Sequence, residues 1–311
     1  GAGNVRTFVL TAIRKRKPVA VVSTAAAVAR PLAGAAVAGL LAYTADAVMA
    51  GTLLAAVAVY LLIEAIYRKV LSAEKRTTPR PSPPSAQQTA QMGKEILTFA
   101  WPFLIWGLFS WTHQFCDRWS LMAFHGADVV GAFAVIGQLA LYPLIFGANF
   151  LSTYFTPIAY ERGGDPETAG SLKPAGRVLV LMTGIYAAGA AALIVVFALC
   201  HAPLVLLVSN PRYTAYSPLL PWLTLAWALY YLGHLLSNFG LLANRPRIYM
   251  GPVVVSALIA AGACWILSAA AGPSGVVAGL AAAGAVYAAW CLAICLRLFH
   301  HPNDAVAQGN S

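Results

Sequence analysis

The sequence predicts an all-α, polytopic transmembrane helical bundle of about eight spans, and three observations predict it. The 311 residues are 60% hydrophobic and only 10% charged, with a mean hydropathy of +0.72. A soluble domain carries about 25% charged residues, too many to reconcile with this composition. The apolar residues also fall in continuous runs near the roughly 20 residues that a helix needs to cross the hydrocarbon core. They show neither the alternation of barrel strands nor the spaced stripe of a soluble amphipathic helix. Backbone groups in lipid must be paired internally, so helices are the solution that remains. Finally, Lys and Arg collect on alternate connections between the runs, as they do on the cytoplasmic side of membrane proteins.

The runs are 18–43, 46–67, 96–117, 128–157, 178–200, 218–243, 248–271 and 275–297, and Gly3–Ile13 reads as the tail of a further span. One set of connections holds sixteen Lys and Arg, from Arg14-Lys15-Arg16-Lys17 to Arg297. The other holds Arg118 and Arg212 alone, while Arg6 and Arg30 belong to neither set. A wrong span count would scramble this alternation. Both ends of the chain are therefore expected on the cytoplasmic face of a cytoplasmic (inner) membrane of bacterial type.

The first run contains Arg30. An ionised Arg near the bilayer centre costs at least about 2.5–3.5 kcal/mol, so it should face the bundle interior, a hydrated cavity or an acidic partner. Two readings are open: a cationic contact for an anionic substrate, or a structural pair. Glu64 in the second run is the acidic candidate, although an interfacial position also explains it. Between the second and third runs, Thr77–Gln91 reads TTPRPSPPSAQQTAQ. This composition predicts an extended or disordered cytoplasmic linker.

The third run closes on Asp117-Arg118, with His113 and Gln114 one turn earlier. A cluster this polar at a span end suggests a cavity-facing surface, and an interfacial ion pair is the alternative. The fourth run carries Gln138 and Asn149 and ends at Glu161-Arg162. The fifth carries Gly184, Ala188 and Ala192, small residues at a spacing of four that let helices approach closely. His234 and Asn238 lie in the sixth. Pro102, Pro143, Pro157, Pro221 and Pro252 are expected to kink their helices.

The five cysteines are odd in number and form no CxxC, which reads as small buried side chains. The sequence contains no HExxH, GxSxG, P-loop or DxD pair, so it carries no enzyme signature and implies no metal or cofactor. The net charge of +10 is dispersed over short loops and does not form a nucleic-acid-binding face.

Residues 95–162 resemble the polysaccharide (O-antigen type oligosaccharide) flippases, within the superfamily that includes the multidrug and toxin extrusion (MATE) exporters. The resemblance rests on Phe99-Ala100-Trp101-Pro102 opening a span, Asp117-Arg118 at its end, Phe124-His125-Gly126-Ala127-Asp128-Val129-Val130-Gly131 opening the next, and Phe155-Thr156-Pro157 to Tyr160-Glu161 closing it. It continues more loosely through Ala243-Asn244-Arg245-Pro246-Arg247. The resemblance implies a MATE-like lobe of six helices at 95–299, two helices of the other lobe at 1–70, a linker at 71–94 and a cytoplasmic tail at 300–311. It also implies that about four spans precede residue 1.

The implied activity is flipping of a lipid-linked oligosaccharide or polysaccharide precursor by alternating access, among membrane lipids and with a possible coupling ion. Arg30 and Arg118 are the anion-contact candidates. Asp117 either pairs with Arg118 or handles the ion, and His113, Gln114 and Asn149 complete the expected path. A multidrug or small-molecule exporter of the same superfamily is the runner-up. A membrane-embedded glycan polymerase or ligase, and a non-transporting scaffold, are readings of other classes.

Overall fold

The computed structural model describes Arg6 and residues 16–41, 44–77, 85–163, 172–243 and 245–300. The basic residues 14 and 15, the Pro-rich stretch 78–84, Asn244 and the tail 301–311 lie outside the described residues. Among the described residues the regular structure is entirely helical. Seven α-helices follow in order: α1 (Arg16–Leu40), α2 (Ala45–Thr77), α3 (Ala86–His125), α4 (Ala127–Gly163), α5 (Leu172–Val208), α6 (Leu220–Leu242) and α7 (Met250–His300). Short 3-10 segments at Pro211–Leu219 and Pro246–Tyr249 lead into α6 and α7. Among the described residues, five stretches are long and apolar enough to cross a membrane: Ala45–Val70, Ala127–Arg162, Pro174–Val208, Pro211–Leu242 and Arg247–Leu298.

The chain divides into two units, Gly1–Thr89 and Ala90–Ser311. In the first, α1 packs along α2. Thr44 caps α2, its Oγ1 accepting from Ala47 N at 3.3 Å, and Asp46 in the first turn complements the helix dipole. Near the far end of α2, Glu64 takes two ion pairs, with Arg6 and with Arg68, each at 2.6 Å.

α3 starts about ten residues earlier than the apolar run suggests. Ser85 and Gln88 form a reciprocal capping box: Ser85 N donates to Gln88 Oε1 at 2.9 Å, and Gln88 N donates to Ser85 Oγ at 3.2 Å. Two otherwise unpaired donors are satisfied at once, so the polar Gln-rich stretch after the prolines enters the helix.

Pro221 and Pro252 act differently from expectation. Pro143 and Pro157 lie inside α4. Pro221 sits at the start of α6, and Pro252 lies in the first turn of α7. In a first turn the missing N–H has no intrahelical partner to lose. The sharp breaks lie elsewhere. In α5, Cys200 departs from helical geometry (φ −121, ψ 17) one turn before Pro203, whose ring would collide with the preceding turn of carbonyls. In α7 the break is Gly272 (φ 61, ψ −142), followed by Pro273.

That second break folds α7 back on itself. Cys264 Sγ lies 3.8 Å from Val276 O, whereas residues twelve apart in a straight helix stand about 18 Å apart. The runs 248–271 and 275–297 are therefore two antiparallel legs. The reversal needs a glycine, because φ near +61° is left-handed and strained for any residue with a Cβ.

α6 is the centre of the second unit. It packs against α4, α5 and α7 and is buried on most sides, from Leu223 through Trp227 and Tyr230 to Gly240. Gly233 lets the Tyr287 ring of α7 lie directly on the α6 backbone, where a Cβ would collide with it. α3 makes no comparably close backbone approach and is joined by side chains. Its His113 ring meets Tyr230, its Cys116 Sγ lies 3.9 Å from Cys264 Sγ, and its terminal His125 Nε2 lies 2.8 Å from Ser268 O.

The two ends of this unit differ in charge. The turns at Gly126 and Gly272 lie together through His125, with Arg212 and Asp128 near enough to attract each other at this end. At the opposite end, the Arg247 guanidinium lies 5.9 Å over the Trp101 ring. Arg162, Arg177, Arg245 and Arg297 stand at helix termini of that same end.

Candidate functional site

The candidate site grows from one face of α6. Tyr231, His234, Leu235, Asn238 and Leu241 recur at helical spacing, so a single face turns them the same way. Opposite them stand Phe103, Trp106 and Gly107 of α3, and Ala148, Asn149 and Ser152 of α4. Together they line a cleft of about 380 Å³, at the small end of the 300–1,000 Å³ usual for small-molecule sites. Exposed Phe103, Gly107, Asn149 and Leu241 form its mouth.

Aromatic rings form the wall behind it. Trp106 and Tyr231 stand with ring centroids 5.8 and 5.7 Å from His234. Tyr230 meets His234 edge-on at 4.7 Å, and Tyr287 lies 5.4 Å beyond Tyr230. His113 closes this wall from α3, stacked on Tyr230 at 4.1 Å. Offset and edge-to-face ring pairs each contribute about 0.5–1.5 kcal/mol beyond area burial, so the wall is stiff.

The polar groups at the cleft are neutral. The Asn149 side chain makes no hydrogen bond to a described residue. Asn238 Nδ2 donates to Leu235 O at 3.0 Å, which leaves its Oδ1 free. Ser152 Oγ lies 3.3 Å from Thr156 Oγ1, and Ser237 Oγ donates to His234 O at 2.7 Å. The described lining carries no Asp, Glu, Lys or Arg.

The residues singled out from sequence are thus divided. Asn149 lines the cleft. His113 is buried behind it, with Nδ1 unpartnered. Gln114 is half-buried and faces the Tyr230 hydroxyl beside Ser110. Asp117 is buried further along α3, its Oδ1 accepting from Arg118 N at 2.7 Å. Asp117 and Arg118 form no side-chain ion pair; the Arg118 guanidinium lies 5.0 Å over the Phe115 ring instead, with Nε buried and unpartnered. Arg30 is in the first unit, on an exposed face of α1, and Glu64 is engaged by Arg6 and Arg68 rather than by Arg30.

The sequence reading did not single out Trp106, Tyr231 or Ser237. The signal that could have found them was the helical repeat of Tyr231, His234 and Asn238 in an otherwise apolar span. Among the described residues, no group of three or more His, Cys, Asp and Glu could hold a metal ion. No protein-family model, no curated protein and no solved structure matches this chain.

Proposed function

We propose that this chain is part of a transporter that flips or exports a lipid-linked oligosaccharide or polysaccharide precursor across the cytoplasmic membrane by alternating access. The observation that carries the reading is the cleft: neutral amides and hydroxyls on an aromatic wall, inside an otherwise apolar helical unit. Asn149 stands exposed at the mouth and Asn238 is half-buried, so both amides are open to a polar ligand.

The partition of the helices supports the same reading. Among the described residues there are five apolar stretches, the last folded into two legs; on this reading α1 and α3 cross as well, which makes eight spans. Two of them fall in the first unit and six in the second. That is the six-plus-two arrangement implied by the resemblance of residues 95–162 to polysaccharide flippases. The cation-rich end of the second unit then faces the cytoplasm, and the Gly126 and Gly272 turns face outward.

Arg30 is the proposed anion contact in the first unit. Replacing Arg30 by Ala in the intact protein abolishes surface polysaccharide on this reading, with the protein level unchanged. Normal surface polysaccharide in that variant removes the assignment.

The aromatic lining favours a second reading, export of a small amphipathic molecule. A cationic drug would find rings to stack on, but no carboxylate among the described lining residues to offset its charge.

A further inference from the structure

We propose that the cleft between α3, α4 and α6 binds an uncharged sugar ring of the glycolipid, and that its diphosphate is held elsewhere. The inference rests on the transport reading above and names the part of the substrate that this site takes.

The donor and acceptor pattern carries it. Asn238 lines the cleft, commits an Nδ2 hydrogen to Leu235 O and leaves its Oδ1 without a hydrogen bond. A free acceptor among the lining groups is no partner for a phosphate oxygen, which only accepts. A sugar hydroxyl both donates and accepts, so it satisfies Asn238 Oδ1 and either group of the Asn149 amide. Ser152 Oγ, paired with Thr156 Oγ1 at 3.3 Å, adapts its proton to either partner.

Charge points the same way. An anion in this cleft would be desolvated with no Lys or Arg among the described lining residues, and a cation with no carboxylate. The Trp106 and Tyr231 rings line the cleft and supply apolar surface for the C–H side of a pyranose, while the amides supply hydrogen bonds for its hydroxyls. At about 380 Å³ the cleft takes one ring with some water, not an extended chain.

The test uses the intact chain in lipid nanodiscs and two probes: a polyprenyl diphosphate bearing a neutral disaccharide, and the same polyprenyl diphosphate without sugar. Their dissociation constants are measured for the wild type, Asn149→Ala and Asn238→Ala. The expected result is that the wild type binds the glycolipid about tenfold more tightly, as one or two hydrogen bonds imply. Each variant removes most of that preference and leaves the bare diphosphate lipid unchanged. The Asn149 side chain is exposed and makes no hydrogen bond to a described residue, so its truncation leaves no buried partner unpaired. Equal binding of both probes by the wild type overturns the inference while the transport reading stands. Equal weakening of both probes in the variants also overturns it. Failure of the wild type to bind either probe overturns the transport reading together with the inference.

Discussion

The His113 ring of α3 lies stacked on the Tyr230 ring of α6, with centroids 4.1 Å apart and planes 14° from parallel. α3 reaches the core through such side-chain ties, so the contact joins the cleft's outer helix to the most buried helix of the unit. His113→Ala should destabilise the folded protein by about 2–3 kcal/mol through lost ring burial and stacking. His113→Phe should retain more of the stability than His113→Ala, because it keeps a ring on Tyr230. Unfolding by a denaturing detergent, followed by tryptophan fluorescence, checks both.

A second expectation concerns Gly233 and Tyr287. A Cβ at Gly233 would enter the space of the Tyr287 ring. Gly233→Ala should therefore cost about 1–3 kcal/mol, as overpacking does. Combining it with Tyr287→Ala should cost less than the two separate losses added together. A double-mutant cycle reads this coupling directly.

Gly272 carries the reversal of α7. With φ at +61 and ψ at −142, a residue bearing a Cβ is strained by about 1–3 kcal/mol. Gly272→Ala should lower the thermal midpoint in detergent clearly more than Ser274→Ala, two residues further on and exposed, which loses only a hydrogen bond to Ala271 O. Equal behaviour of the two variants contradicts the role given to Gly272.

Orientation is open to chemical labelling. Cys116, Cys264, Cys291 and Cys295 are buried and Cys200 is exposed. In a Cys200→Ser background, a cysteine replacing Ser274 should react with a membrane-impermeant maleimide in intact cells. One replacing Arg247 should react only after permeabilisation. The reverse pattern would invert the proposed topology.

Much of this fold is legible in the sequence, because hydrocarbon imposes one rule on every span. The runs 46–67, 128–157 and 178–200 fall within described helices, and 218–243 overruns α6 slightly at both ends. What escaped lies where local chemistry competes with that rule. The Ser85–Gln88 box extends α3 into a stretch whose composition reads as linker. Pro221 and Pro252 mark helix starts rather than kinks, a distinction that depends on the position of the first turn.

The candidate site was legible only in part. Asn149 stands out as a polar residue in an apolar run, and it does line the cleft. Arg118 stands out equally, yet it lies over Phe115. Trp106 and Tyr231 are inconspicuous, since aromatic residues are common along this chain. Only the packing of α3 and α4 on α6 shows which rings turn inward.

The most direct test of the central claim is the sidedness of the lipid-linked glycan in cells that lack this protein. The outward-facing share is read by its accessibility to an impermeant glycosidase. The account predicts that the precursor accumulates on the cytoplasmic face and the outward-facing share falls to background. It also predicts that wild-type protein restores that share and the Asn149→Ala variant restores less of it. An unchanged outward-facing share in cells without the protein would contradict the account.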